Sequence, residues 1–157
     1  MKVKFAYSRK DVKYMENIRK YLQLLEKQDK VKLWYDGDIE VGSNWEAMIK
    51  KHLENADIIL PLISANALAS DYFYDTEMKI ALDRHSKKQV KIIPVILKSC
   101  LWQSSPFGEL QALPEDGKPI ESWERESEAY ANVMEHITDL CFGENIKKAR
   151  LQKQNEK

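Results

Sequence analysis

Short runs of apolar and β-branched residues alternate along this chain with stretches of helical periodicity. The apolar runs cover residues 3–7, 31–35, 57–63 and 91–97. Between the first two runs, over 11–26, apolar residues recur three or four positions apart, a spacing that gives a helix one apolar face. The alternation is typical of a parallel sheet covered by helices on both faces. The sequence therefore predicts an α/β fold.

The run 57–63 is the best candidate for a central strand. It is apolar without interruption from Ile58 onward, as expected of a strand that is covered on both faces. Pro61 lies within it and lacks the backbone N–H that a hydrogen-bonded ladder uses. We therefore expect a strand with a local irregularity at Pro61.

Three further helices are predicted, over about 44–53, 72–85 and 124–142. Their expected end signals are a capping box of Ser43 with Glu46, a cap at Ser70 or Asp71, and a C-terminal glycine at Gly143. Residues 98–122 contain three of the five prolines and are expected to be mostly loop.

Composition excludes several classes of protein. The chain has 157 residues, with 25 basic and 25 acidic side chains, so a general nucleic-acid binder is disfavoured. The longest apolar run is far shorter than the ~20 residues of a membrane span, and the N-terminus has no signal-peptide layout. Two distant cysteines and three scattered histidines lack the spacing of metal ligands. We expect a soluble cytoplasmic protein without a metal site, a membrane partner or a nucleic-acid partner.

Ligands of open α/β sheets bind beyond the carboxyl ends of the strands, so the residues after each run are informative. No glycine precedes Gly37, which excludes the phosphate-binding turns of Rossmann and P-loop proteins at the first strand. A response-regulator receiver would need acidic residues after strand one and an aspartate after strand three. This chain has Ser8, Arg9 and Lys10 at the first position and Ser64 at the second. A flavodoxin-like arrangement remains, without those functions.

Three segments in order resemble the conserved boxes of Toll/interleukin-1 receptor (TIR) domains: FAYSRKD over 5–11, WYDGDIEVGSNW over 34–45, and SDYFYDTEM over 70–78. Residues 105–107 and 113–114 are similar to a late loop of prokaryotic members. The resemblance covers about residues 3 to 142. It implies a flavodoxin-like fold with a five-stranded parallel sheet and helices on both faces.

The domain limits follow from the same comparison. We expect a TIR domain over residues 1–143 and a charged tail or linker over 144–157. The tail carries five basic residues against two acidic ones, namely Lys147, Lys148, Arg150, Lys153 and Lys157 against Glu144 and Glu156. In prokaryotic relatives such a domain is commonly fused to a sensor module or works beside one, so this segment could lead to a further domain.

The segment 70–78 resembles the part of NAD-consuming TIR domains that carries the catalytic glutamate. The resemblance implies that Glu77 cleaves the nicotinamide–ribose bond of NAD+, which is then a substrate and not a cofactor. Nicotinamide leaves NAD+ as a neutral molecule, so no general acid is needed. A single carboxylate can stabilise the developing ribosyl cation in a partly dry pocket.

The resemblance also suggests substrate-binding residues. Phe73 lies four residues before Glu77 and shares its helix face, where many enzymatic relatives have Trp. Arg9 and Lys10 are placed to meet the pyrophosphate. Tyr7 and Ser8, directly before this basic pair, are further candidates. The last four match the segment that in relatives lines the site or contacts a neighbouring subunit: Trp34, Asp36, Ile39 and Glu40.

Structural roles are open for the same residues. Glu77 would ordinarily be a solvated surface residue, Phe73 a core aromatic, and Ser8 the cap of the following helix. Trp34 and Trp45 could be packing residues, and for Trp45 the packing role is favoured.

Two functions remain. The first is an NAD+ glycohydrolase or cyclase, an effector in prokaryotic anti-phage defence or signalling. The second is a non-enzymatic module that acts by TIR–TIR association. Glu77 with its aromatic neighbour favours the enzyme, and self-association is compatible with both.

Overall fold

In the computed structural model, which describes residues 1–35, 44–142 and 155, the chain forms a parallel sheet between two layers of helices. The strands are β1 (Lys2–Ala6), β2 (Lys32–Trp34), β3 (Ile58–Ile63), β4 (Lys91–Ile92) and β5 (Val95–Ile96). The helices are α1 (Val12–Lys27), α2 (Trp45–Asn55), α3 (Ala65–Ala69), α4 (Met78–Ser86) and α5 (Glu126–Phe142).

The five strands are all parallel and confirm the predicted architecture. The order is β2-β1-β3, with β4 and β5 both paired to the far side of β3. Lys4 in the middle of β1 pairs with Trp34 of β2 on one side and with Ile59 of β3 on the other. The chain therefore leaves β1 in one direction to form β2 and returns across it to form β3, which is the topology of a flavodoxin-like sheet.

The irregularity expected at Pro61 is not in β3, which runs unbroken from Ile58 to Ile63 and pairs Pro61 with Ala6 of β1. It lies in the neighbouring strand. The predicted strand 91–97 consists of two pieces, β4 and β5, which pair with β3 through Ile59 and Leu62 respectively. On that side of β3 the pairing is interrupted at Pro61 of β3 and at Pro94, which lies between β4 and β5, and neither proline has an N–H to donate. Leu113, in the predicted loop, forms a parallel bridge with Val95 and extends the sheet by one residue.

The apolar residues of β3 alternate between two cores, as the twofold period of a strand requires. Ile58, Leu60 and Leu62 belong to the cluster under α1 and α5, whereas Ile59 and Ile63 belong to the cluster under α2 and α4. We call the second cluster the α2/α4 core. An unbroken apolar sequence is therefore needed because both faces of this strand are covered.

The ends of the first two helices differ slightly from the prediction. Ser8 caps a 3₁₀ turn, Arg9–Asp11, that precedes α1, and its hydroxyl accepts a hydrogen bond from the backbone N–H of Lys10 at 3.3 Å. The cap of α2 is Asn44, whose side chain accepts from the N–H of Ala47 at 3.2 Å. Ser43, the predicted cap, lies outside the described residues. Helix α2 also runs to Asn55, beyond the predicted end at Leu53.

The segment after β3 holds one helix that the sequence did not suggest. Ser64 accepts from the N–H of Ala67 at 3.1 Å and caps the short helix α3. The predicted helix 72–85 is present, but its first turns form a π-helix over Phe73–Glu77 before α4 begins. Ser70 caps this segment, as predicted, by accepting from the N–H of Phe73 at 3.3 Å.

The end of the chain is described only in part. Helix α5 begins at Glu126, two residues later than predicted, and runs to Phe142. The expected helix end at Gly143, and the tail over 144–157 apart from residue 155, lie outside the described residues. None of the described helices is both long enough and apolar enough to cross a membrane.

Candidate functional site

Glu77 closes the π-helical turn at the start of the long helical segment after α3. The N–H of Met78 bonds to the carbonyl of Phe73, five residues back, which defines the wide turn. Such turns are rare and often occur at functional sites. Glu77 is only 6% exposed, although glutamate is among the residues least often buried. The solvated role considered for Glu77 is therefore not what the structure shows.

The turn that carries Glu77 packs into the α2/α4 core. Phe73, Met78 and Ala81 of the same helical segment are all buried members of that core. Electrostatic attraction is stronger in such surroundings than in water, because fewer water dipoles screen it. A carboxylate at this position is therefore well placed to stabilise a positive charge that develops nearby.

Phe73 is a buried aromatic and not an open shelf. Its ring is 1% exposed and meets the ring of Phe107 edge to face, with centroids 6.4 Å apart and planes at 61°. Phe107 comes from the loop after β5 and is itself buried. This packing role is the structural alternative considered above. Contact between Phe73 and a substrate stays a prediction.

Arg9 and Trp45 connect the end of β1 with the helix that bears Glu77. The guanidinium carbon of Arg9 lies 5.6 Å from the centroid of the Trp45 ring. The indole in turn meets Tyr72 edge to face, with centroids 5.2 Å apart. Tyr72 directly precedes Phe73 in the chain. The structure thus places Arg9 in the same surface region as the π-helical turn.

The other candidates after β1 differ in their exposure and in the part of the fold that they contact. Lys10 is exposed, and Ser8 is partly buried in its capping role. Tyr7 is buried in the other core, between the sheet and helices α1 and α5. Tyr7 and the α2/α4 core therefore lie on opposite faces of the sheet.

Trp34 lies at the carboxyl end of β2, on the same sheet face as α2. Its indole stacks on the ring of His52 with centroids 4.4 Å apart and planes at 12°. The ammonium groups of Lys2 and Lys32 lie 5.7 and 5.9 Å from its centroid. The ring is thus held by packing and by cations. The three other candidates from the same box, Asp36, Ile39 and Glu40, lie outside the described residues.

A buried polar cluster joins the ends of β1 and β3. Asp11 is 2% exposed and accepts hydrogen bonds from the hydroxyl of Ser64 and, at 3.3 Å, from the side-chain amide of Asn66. Ser64 is fully buried and caps α3 at the same time. The cluster fixes the segments that follow β1 and β3, and with them the position of Arg9.

Sequence reasoning missed four residues of this region: Asp11, Trp45, Ser64 and Tyr72. The signal for Asp11 and Ser64 was their position just after adjacent strands, where polar side chains converge. Trp45 was interpreted as a packing residue, and only its contacts and exposure show that it faces the surface beside Arg9.

In the described part of the chain, no group of three or more His, Cys, Asp or Glu side chains is arranged to hold a metal ion. Burial raises the pKa of the Cys100 thiol, and the backbone of Trp102 opposes this shift through a hydrogen bond. Cys100 is therefore mostly protonated near neutral pH.

The topology and the polar edge define a class of protein, a flavodoxin-like α/β domain with a candidate site at the carboxyl ends of its strands. Residues 3–133 match the family model described as TIR domain. The chain belongs to the TIR domain family.

One longer protein is similar to most of this chain. The chain is 39% identical over 137 residues to the uncharacterized protein y4lF of Sinorhizobium fredii strain NBRC 101917 / NGR234. That match covers 87% of this chain and 42% of the relative, so the chain spans less than half of that protein.

The solved structures share the fold at low sequence identity. The TIR domain of the Toll-related receptor TRR-2 from Hydra magnipapillata superposes with a TM-score of 0.58 at 17% identity, covering 87% of this chain and 97% of that domain. A chain of the RPS4 and RRS1 TIR domain heterodimer superposes with a TM-score of 0.54 at 12% identity, covering 90% and 99%.

Proposed function

We propose that this domain is an NAD+ glycohydrolase that cleaves the nicotinamide–ribose bond. The observation that carries the proposal is the burial of Glu77 in a π-helical turn close to the carboxyl edge of the sheet. Family resemblance assigns the catalytic glutamate to this position. Arg9, in contact with Trp45, supplies a cation for the pyrophosphate in the same region.

The chemistry needs few protein groups. The bond between the ribose anomeric carbon and the nicotinamide nitrogen breaks, and its electron pair neutralises the positive ring nitrogen. The carboxylate of Glu77 stabilises the ribosyl cation left behind. Water then adds and releases a proton to give ADP-ribose, or a nitrogen of the adenine adds and gives a cyclic product.

The test is nicotinamide release from NAD+ by concentrated or tethered protein, because assembly could be needed to complete the site. Glu77→Gln should lower the rate at least about 100-fold, since it removes the charge that faces the cation. Glu54→Gln, at an exposed position of α2, is the matched control and should retain full activity. Absence of release by the assembled wild type, or equal rates for Glu77→Gln and wild type, would show the proposal to be wrong.

The products decide between two reactions of the same intermediate. Chromatography of the reaction mixture separates ADP-ribose from cyclic ADP-ribose-type products.

We propose a role as an effector in prokaryotic anti-phage defence or signalling, with activation by a sensor module. The greater length of the Sinorhizobium relative is consistent with additional modules in such proteins.

The second candidate function is association between TIR domains without catalysis. Its support is a set of large apolar side chains that are exposed near the carboxyl edge or on adjacent helices: Val12, Trp45, Tyr74 and Leu101. Leu101 is 80% exposed, the highest value in this set, and its burial against a partner would remove apolar surface from water. Sedimentation of the wild type and of Leu101→Ser would test this role. A concentration-dependent increase in mass that the substitution abolishes is expected.

A further inference from the structure

We infer that Trp45 is the platform on which the purine base of a dinucleotide stacks, with Arg9 beside it for the phosphates. The identity of the ligand rests on the proposed NAD+ cleavage, whereas the platform itself is a property of described residues. The sequence favoured a packing role for this tryptophan.

The exposure of Trp45 is the first observation. It is the first residue of α2, and its side chain is 45% exposed despite its size. Trp34, in contrast, stacks on His52 within the α2/α4 side of the fold. Nearly half of Trp45 is therefore open to solvent and available to a ligand.

The second observation is that two neighbours hold the ring in place. The Arg9 guanidinium lies over it at 5.6 Å, and the Tyr72 ring meets it at 60° with centroids 5.2 Å apart. A ring that is already ordered loses little conformational entropy when a ligand stacks on it. Asn44, which caps α2, anchors the backbone directly before Trp45.

The chemistry of the pair selects the ligand class. An indole binds planar rings by stacking, and bases of nucleotides are the common planar partners. A guanidinium pairs with phosphate oxygens and also stacks on aromatic rings. Together they recognise a molecule with a flat base linked to a phosphate, which is a nucleotide. The NAD+ substrate proposed above makes that base a purine.

The location fits the far end of a dinucleotide whose reacting end is at Glu77. Tyr72 precedes Glu77 by five residues, which is the span of one hydrogen-bonded turn of the π-helical segment that joins them. Trp45 lies a further ring contact away from Tyr72. The base and the nicotinamide ribose would thus bind apart from each other, with Arg9 near the pyrophosphate that joins them.

The experiment measures fragment binding, so that it does not depend on turnover. In a Glu77→Gln background, calorimetry gives the Kd values of AMP, ADP-ribose and nicotinamide mononucleotide. Trp45→Ala should weaken AMP and ADP-ribose about 5- to 100-fold and leave nicotinamide mononucleotide within about twofold. Trp123→Ala is the matched control, because Lys118 lies 5.3 Å from that indole but the ring packs against the opposite core. Circular dichroism verifies that each variant is folded.

A spectroscopic readout identifies the residue directly. AMP should shift the indole N–H resonance that is missing from the spectrum of Trp45→Ala, and Arg9→Ala should reduce AMP affinity more than adenosine affinity.

Several outcomes overturn the inference: no AMP binding by the parent, equal affinity in Trp45→Ala, or equal weakening of all three ligands. If Trp45→Ala weakens AMP selectively while the assembled wild type releases no nicotinamide, the platform stands and the proposed hydrolase fails.

Discussion

The hydroxyl of Ser64 donates a hydrogen bond to Oδ2 of Asp11, joining two residues that are 53 positions apart in the chain. Asp11 follows β1 and Ser64 follows β3, the two central strands on either side of the point where the strand order reverses. In open α/β sheets the ligand crevice lies at this point. The bond therefore ties together the two segments that border the candidate site.

Removal of this carboxylate should destabilise the fold. Asp11→Ala leaves the fully buried Ser64 hydroxyl without its acceptor, and we expect the free energy of unfolding to fall by about 2–3 kcal/mol in urea titrations. Glu16→Ala, at an exposed position of α1, should change it by less than about 0.5 kcal/mol. A double-mutant cycle with Ser64→Ala measures the coupling. Additive effects would contradict a direct interaction of this strength.

The stability of the fold should depend on an arginine at position 84. It donates hydrogen bonds to the carbonyls of Leu53 and Ala56 at the end of α2, at 2.6 and 2.8 Å, and to that of Gln89 at 3.1 Å. A lysine cannot reproduce this fork, so Arg84→Lys should cost about 2 kcal/mol by thermal or urea unfolding. Arg125→Lys is the control, because its contact with Glu128 is 3.9 Å long and exposed, and little change is expected. Equal losses in the two variants would refute the prediction.

Phe73 should not accept a larger ring without loss of stability. Its contact with Phe107 fills the space beside it, so Phe73→Trp should lower the free energy of unfolding by about 1–3 kcal/mol. Phe73→Trp and Phe107→Leu together should cost less than the sum of the two single effects, because the smaller leucine makes room for the indole. A stable single variant would indicate spare volume near the π-helical turn. If its rate and product ratio with NAD+ also match the wild type, the ring at position 73 does not contact the substrate.

The phenol of Tyr130 should make stability fall in alkaline solution. Burial raises the pKa of Tyr130 above its ordinary value of 10.0, and the hydrogen bond from Asn17 opposes this shift. The folded chain thus keeps this proton to higher pH than the unfolded chain. The contribution is fully present below about pH 10 and is lost as the pH rises toward the folded-state pKa.

The measurement is urea unfolding between pH 9 and 11. Tyr130→Phe should flatten part of the alkaline decline, while Tyr74→Phe, at an exposed position, should leave it unchanged. Part of the decline should persist in Tyr130→Phe, because burial also raises the pKa of Tyr14. An identical decline in Tyr130→Phe and wild type would contradict the assignment.

The fold was largely predictable because its strands and helices follow from local patterns of apolar residues. The apolar run ending at Ile63 predicted the central strand, and the spacing of Met15, Ile18 and Leu22 predicted the apolar face of α1. The division of the predicted strand 91–97 into β4 and β5 was harder to predict from the sequence. It occurs opposite Pro61, which lies about 30 residues earlier in the chain.

The candidate site was predictable only as a location. Residue type and family resemblance selected Glu77, but nothing in the local pattern indicates a π-helical turn instead of an α-helical one. Ser8 was assigned its capping role from its position, and the structure confirms it. Phe73 and Tyr7 could not be placed, because which neighbours surround an aromatic ring depends on long-range packing.

The sequence by itself determined that this chain is a parallel α/β domain of the TIR family, since strand periodicity, helix faces and the order of the boxes are all local properties. The tertiary structure alone decided that Glu77 is buried, that Phe73 packs against Phe107 and that Arg9 lies on an exposed Trp45. These facts arise from contacts between segments distant in the chain. Burial and ring packing are set by how the helices and loops meet over the sheet, which no local pattern specifies.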